Sequence, residues 1–444
     1  MRDSRLKPDI TVRPEFVTLA ADLKRLVAFF QAEIRRGLAG ERSSIAMHPS
    51  FVVRPSGRER GRFVVLDLGG TNVRATVLDM SGDGSVRVLK SDGFRLPSTV
   101  GSANDLFGPV ARFVGEMLDA GVDYTLGFIF AFPMEQTGVR SGRLTKWTKE
   151  FAFSGVEGED VVSLLEEAVR RESDALPALR RLKIGALAND TVSVLTAGAR
   201  LDSRCDMGLI VATGMNLAVA VPAEMISKDI PGGAAGEMLF NMECGNFSGV
   251  RSVQTQYDRK LDAESDTEGQ LLEKMVSGRY LGEIVRLTVA HLASRGHGFD
   301  DWVAGSSIFQ EPYAFTTEHV SDIAYDTSTD LVATKMLLYE LGVPEASEDD
   351  RRRLREICVS VGRRSARLVA MAIVATAAYV DPELDREHLA AADGSLFRGY
   401  PDYQVEVERG IANLLGDRAD RIQVAYLRDG SGIGAAVLAA MSGG

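Results

Sequence analysis

The chain has 444 residues, enough for two folding units with separate cores. Apolar residues make up 45% and charged residues 25%, as in ordinary soluble proteins, and 62 acidic against 51 basic residues argue against nucleic acid as the main partner. Cys205, Cys244 and Cys358 lie far apart without a CxxC pair, and the five histidines lack HExxH spacing. A disulfide framework and a zinc site are therefore not expected, and a reducing cytoplasm fits. Residues 1–15 are charged and carry no apolar core, which speaks against a secretory signal. The longest apolar stretches, 209–221 and 368–380, fall short of the roughly 20 residues a membrane helix needs.

In chain order, residues 16–38 read as an amphipathic helix, with Leu19, Leu23, Leu26, Val27 and Phe30 on one stripe. Two β-rich runs, 63–68 and 73–78, flank Gly69-Gly70-Thr71-Asn72 and predict strand, tight turn, strand. Helices are expected over 105–118 and 161–171, then a strand over 183–188 that ends at Asn189-Asp190. A second strand–turn–strand, 207–212 and 216–221, surrounds Thr213-Gly214. The stretch 231–236, Pro-Gly-Gly-Ala-Ala-Gly, reads as a loop. Long helices are expected over 271–292 and 354–380, and Asp429-Gly430-Ser431-Gly432 opens a last helix through 441. No sequence repeat is long enough to suggest a duplicated unit. Hairpins with glycine turns alternating with helices predict an α/β protein whose sheets are not purely parallel.

Asp67-Leu68-Gly69-Gly70-Thr71-Asn72-Val73-Arg74 has the makings of a phosphate site. The glycines allow close backbone approach and offer N–H groups, Thr71 and Asn72 add donors, Arg74 adds charge, and Asp67 can hold magnesium through water. A Gly-Lys dipeptide is absent, so no Walker A loop exists, and GxSxG is missing as well. Asn189-Asp190-Thr191 read alone is a helix N-cap as readily as it is a catalytic base. Glu243 and Glu273 read alone are ordinary solvated acids.

Taken in order, these segments resemble the hexokinase family. The match covers the Asp67–Arg74 string, 128–133 followed by Leu144-Thr145-Lys146-Trp147-Thr148-Lys149, and Ala188-Asn189-Asp190-Thr191. It continues through Ala212-Thr213-Gly214-Met215-Asn216, Asn241-Met242-Glu243-Cys244-Gly245, 270–283 and Asp393-Gly394-Ser395-Leu396. The resemblance implies the actin-like ATPase (ribonuclease H-like) fold, with two α/β domains around a cleft. Its motif positions place a small domain at 62–188 plus 430–444 and a large domain at 1–61 plus 189–429.

The resemblance further implies ATP-dependent phosphorylation of a hexose at C6, with Mg²⁺ as cofactor. Asp190 would be the base and Lys149 would neutralise developing charge. Thr148, Lys149, Asn189, Asp190, Asn216, Glu243 and Glu273 would read the sugar. Asp67, Gly69, Gly70, Thr71, Asn72, Arg74, Thr213, Gly214, Gly394 and Ser395 would hold the nucleotide, and Asp67 and Asp190 would touch the metal through water. The expected partners are the hexose and ATP, with no nucleic acid and no membrane, and the chain would be a monomer or homodimer. Ala131, Ala212, Cys244, Glu150 and Arg363 replace residues usual in the family. They leave an alternative reading open, a sugar sensor with little catalysis, against which the intact Asp67, Lys149 and Asp190 count.

Overall fold

The structure, a computed structural model, describes residues 16, 20–82, 85–147, 151–231, 233 and 236–442. Helix α1 (Ala20–Leu38) buries Leu23, Leu26, Phe30 and Ile34 on the expected stripe. The expected start of this helix, 17–19, lies outside the described residues, as do positions 232, 234 and 235 of the glycine-rich loop. The short strand β1 (His48–Pro49) follows.

The first sheet begins with β2 (Arg60–Leu68), β3 (Asn72–Ser81) and β4 (Val86–Arg95), an antiparallel meander. Helix α2 (Ala103–Met117) lies between β5 (Val100–Ser102) and β6 (Tyr124–Phe130). A small hairpin, β7 (Met134–Gly138) with β8 (Ser141–Leu144), and β9 (Ala152–Ser154) lead to α3 (Val161–Glu172) and β10 (Leu182–Ala188). The strand order is β10-β6-β2-β3-β4, with β6 and β10 parallel to β2. After α4 (Asp190–Leu201), the second sheet is built from β11 (Cys205–Val211), β12 (Met215–Pro222), β13 (Glu237–Asn241), β14 (His388–Asp393) and β15 (Ile422–Tyr426). Its order is β1-β13-β12-β11-β14-β15, again a meander followed by two parallel strands.

Apart from β1, the two sheets share one topology. In each, the hairpin strand pairs antiparallel on one side and parallel on the other, and the last strand runs into a helix. The duplication that is absent from the sequence is thus present in the fold. Topology answers to hydrophobic period and turn chemistry, which many unrelated residues satisfy.

Each terminal helix packs across the boundary between the sheets. Helix α4 lies against β11, and the last helix, Gly430–Met441, lies against β6, β2 and β10. The two helices cross each other where a Cβ on Gly434 would meet the Ser193 carbonyl at 1.7 Å, so only glycine fits there. The largest core packs α1 and the long helix Glu348–Val380 on one face of the second sheet. A separate core packs α2 and α3 on the first.

The expected single helix over 271–292 is broken into Leu271–Val276 and Leu281–Ser294. The Gly278 N–H donates to the Ala212 carbonyl at 2.7 Å and the Arg279 N–H to the Thr213 carbonyl at 3.2 Å. Backbone groups that would continue the helix instead hold the Thr213–Gly214 turn. Cys205, Cys244 and Cys358 are free thiols, all buried. Among the described residues no helix is long and apolar enough to cross a membrane.

Candidate active site

Strand register aligns the first group of residues. Asp67 pairs with Ile129, and Ile129 with Ala188, so Asp67 on β2 and Ala188 on β10 flank β6 in one row. Two strand spacings put their backbones about 10 Å apart. Beyond that row, at the carboxyl ends of three parallel strands, lie Gly69–Thr71, Ala131 and Asn189–Asp190. Open α/β sheets place their ligands at such an edge.

The turn at 69–72 is open. A Cβ on Gly70 would meet nothing within 4 Å, and one on Gly69 would meet Ala131 Cβ at 3.2 Å. Neither glycine has positive φ, so both serve by lacking a side chain and not by left-handed backbone. The Thr71 carbonyl accepts from the Leu96 N–H at 2.8 Å, which ties the turn to the end of β4. Asn72 and Arg74 stand exposed on the solvent side of β3.

Asn189 is the N-cap of α4. Its Oδ1 accepts from the Thr191 N–H at 2.9 Å and from the Thr191 hydroxyl. Asp190 is the first helical residue, and its Oδ1 accepts from the same N–H at 2.8 Å. The cap and the candidate base are therefore neighbouring residues that share the Thr191 N–H.

From Thr191 a polar chain runs into the second sheet. Asn216 Nδ2 donates to Thr191 Oγ1 at 3.4 Å and to Asn241 Oδ1 at 2.7 Å, and Asn241 Nδ2 donates to Glu243 Oε1 at 2.7 Å. Asn216 Oδ1 accepts from the N–H groups of Leu217 and Cys244. Amide and carboxylate orientations are thus set before any ligand arrives. Burial pushes the Glu243 carboxyl up, and the Asn241 bond opposes that shift. Glu243 and Gln270 both hold left-handed backbone, φ 53° and 54°. Non-glycine residues adopt it at a cost of about 1–3 kcal/mol each, and such strain concentrates at functional sites.

Glu273 closes the group. Its Oε2 accepts from the Met215 N–H at 3.0 Å, and a Cβ on Gly214 would come within 2.7 Å of that oxygen. Gly394, at φ 126°, lies so close to β11 that a Cβ would meet the Val211 carbonyl at 2.2 Å. Gly394 and Ser395, which starts a short helix, therefore adjoin the Thr213–Gly214 turn. Burial also pushes the Asp393 carboxyl up. The Gly394 N–H pulls it down and Asp429 adds to the rise.

The structure therefore gathers Asn189, Asp190, Asn216, Glu243, Glu273, Thr213, Gly214, Gly394 and Ser395 around the facing edges of the sheets. Thr148 and Lys149 lie outside the described residues. The chain before and after them is secured by Trp147, whose ring meets Phe132 at 5.0 Å and Phe151 at 5.6 Å, and whose Nε1 donates to the Phe153 carbonyl. Asn241, which joins Asn216 to Glu243, was not among the expected site residues. Its place two residues before Glu243, on a strand, was the available signal.

The comparisons decide the family. Hexokinase family profiles match residues 11–200 and 206–441. The hexokinase of Brugia malayi is 35% identical over 457 residues, covering 97% of this chain and 76% of that protein. This chain belongs to the hexokinase family. Its structure superposes on the glucose complex of Schistosoma mansoni hexokinase with a TM-score of 0.85 at 30% identity, covering 97% of each chain. A ROK family glucokinase from Streptomyces griseus shares the fold at 16% identity and a TM-score of 0.50, covering 85% of this chain and 98% of that one. The actin-like fold expected from the motifs is thereby shown, and the chain is a hexokinase-type phosphotransferase that phosphorylates sugars.

Proposed function

We propose that the chain transfers the γ-phosphoryl group of ATP to the C6 hydroxyl of a hexose, with glucose the foremost substrate, in the cytoplasm. The observation that carries this is the unbroken hydrogen-bonded chain Asn189–Thr191–Asn216–Asn241–Glu243. It sets sugar-reading amides and a carboxylate beside Asp190. A hexose displays hydroxyls that each donate and accept, and fixed amides and carboxylates are suited to read them. Asp190 accepts the C6 proton as the hydroxyl attacks. Lys149 steadies the charge that develops on the phosphoryl group. Gly69–Asn72, Arg74, Thr213–Gly214 and Gly394–Ser395 hold the phosphates and nucleotide from both sheets.

The donor set fits a nucleotide-borne magnesium. Among the described residues no cluster of three or more ligating side chains exists; Asp67 stands near the end of β2 and Asp190 opens α4. Mg²⁺ keeps most of its waters and takes phosphate oxygens, so two carboxylates acting through water suffice. When bound it would screen the phosphate charge. The lobes 62–188 plus 430–444 and 1–61 plus 189–429 would close over the substrates and exclude water. A coupled assay of ADP release with ATP and a panel of hexoses tests the whole reading. Robust turnover, highest kcat/KM on glucose, is the expected result. Sugar binding without ADP release would leave a sensor and end the enzymatic proposal.

A further inference from the structure

Glu59 and Arg200 form a buried ion pair at the ends of β2 and α4 remote from the residues assigned above. Arg200 Nε lies 3.5 Å from Glu59 Oε2, and their side chains are 1% and 5% exposed. Glu59 is otherwise committed, since its Oε1 accepts from the Ser56 N–H at 2.7 Å and the Ser56 hydroxyl at 2.8 Å. A second tie lies alongside. Arg54 donates to the Ser203 carbonyl at 2.7 Å and pairs with Glu237 at 2.7 Å. Removing two charges from water costs several kcal/mol each, so a buried pair is a poor way to gain stability alone.

What the pair connects suggests its use. Glu59 immediately precedes β2, in the segment that carries the chain from β1 of the second sheet to the first. Arg200 sits in the last turn of α4, on the second sheet. At their opposite ends, β2 leads into Gly69–Asn72 and α4 begins with Asp190. Two stiff elements therefore run from one buried contact to the two halves of the reaction site. We propose that Glu59 and Arg200 are positioning residues, which set the phosphate turn of the first sheet against the base on α4. The proposal rests on the phosphotransfer reading.

Of the sugar-reading residues, Asn216, Glu243 and Glu273 belong to the second sheet or its helices, and only Thr148 and Lys149 belong to the 62–188 unit, so the pair should govern turnover more than sugar affinity. Displacements of about 1 Å can cost up to 10²-fold in rate. Glu59→Gln, which keeps the Ser56 bonds and drops the charge, is expected to lower kcat about tenfold. The glucose Kd, measured by calorimetry without ATP, should stay within about twofold. Glu59→Asp should recover part of kcat, and Arg200→Lys should fall between. A lower Tm with wild-type kcat per folded molecule would overturn the proposal, because it is the signature of a merely structural pair. Absent turnover in the wild type would count against the phosphotransfer reading alone.

Discussion

The turns at Gly69–Gly70 and at Thr213–Gly214 occupy the same place in two sheets of one topology, yet they are built in opposite ways. The first is open space, with Gly70 facing nothing and Gly69 resting on Ala131. The second is packed, since Gly214 is pressed by Glu273 and the Ala212 and Thr213 carbonyls are held by Gly278 and Arg279. The helices that follow the parallel strands differ likewise. Helix α4 opens on a capped Asn189 and the carboxylate of Asp190, whereas its counterpart opens on Asp429 in left-handed backbone and Gly430-Ser431-Gly432. One copy of the unit has thus kept room for a ligand, and the other has become a preassembled wall. A reaction that needs a fixed sugar and an incoming nucleotide divides naturally along that line.

The largest test of this division is Asp190→Ala. Asn189 remains to cap the helix, so the fold should persist while kcat falls by about 10²–10⁴, the usual weight of a general base. Glucose affinity should change little. Steady-state kinetics alongside a calorimetric Kd would show it, and a variant with near-normal kcat would remove Asp190 from the chemistry.

Next in size is Glu243→Gln. Exchanging a charged for a neutral hydrogen-bond partner weakens each contact by about 1–2 kcal/mol, or roughly 5- to 30-fold in sugar affinity. Stability should move the other way. Burial raises this carboxyl above its ordinary value of 4.5, so the folded state binds the proton more tightly than the unfolded one. The wild type therefore loses stability as pH rises through the folded value, and the uncharged variant does not. Thermal melts should show the variant more stable at pH 7, with the gap closing below about pH 4.5, where the wild type is protonated in both states. Equal melting curves at pH 7 would mean that Glu243 is not strained by burial.

Much of this was legible in the sequence. Both glycine hairpins, the strand into Asn189-Asp190 and the last helix were readable because each is local, made by a few residues of the right period and a turn. The break at 277–280 was not. Its cause is the Thr213–Gly214 turn some 65 residues earlier, whose carbonyls recruit the N–H groups of Gly278 and Arg279. The paired topology showed in the sequence only as two glycine hairpins, since apolar alternation can repeat without any residue repeating. The Glu59–Arg200 contact joins positions that no periodicity links.

A smaller effect is expected from Gly214→Ala. The new methyl would reach 2.7 Å from Glu273 Oε2, so that carboxylate must shift and lose its bond from Met215. About a tenfold rise in glucose KM follows from one charge-assisted bond. An unchanged KM would show that Glu273 is not in the sugar site.

The smallest change, and the sharpest probe of the contrast, is Gly70→Ala. Its backbone is not left-handed, and the added methyl meets nothing within 4 Å, so Tm should stay within what surface substitutions cause, about 0.5 kcal/mol of stability. Any kinetic change must then come from a ligand that approaches the backbone too closely for a side chain. A rise in ATP KM of a few-fold, with glucose KM unaltered, is expected of a phosphate-facing turn. If both constants are unchanged, the space around Gly70 is only solvent, and the nucleotide must be held by the packed turn of the second sheet.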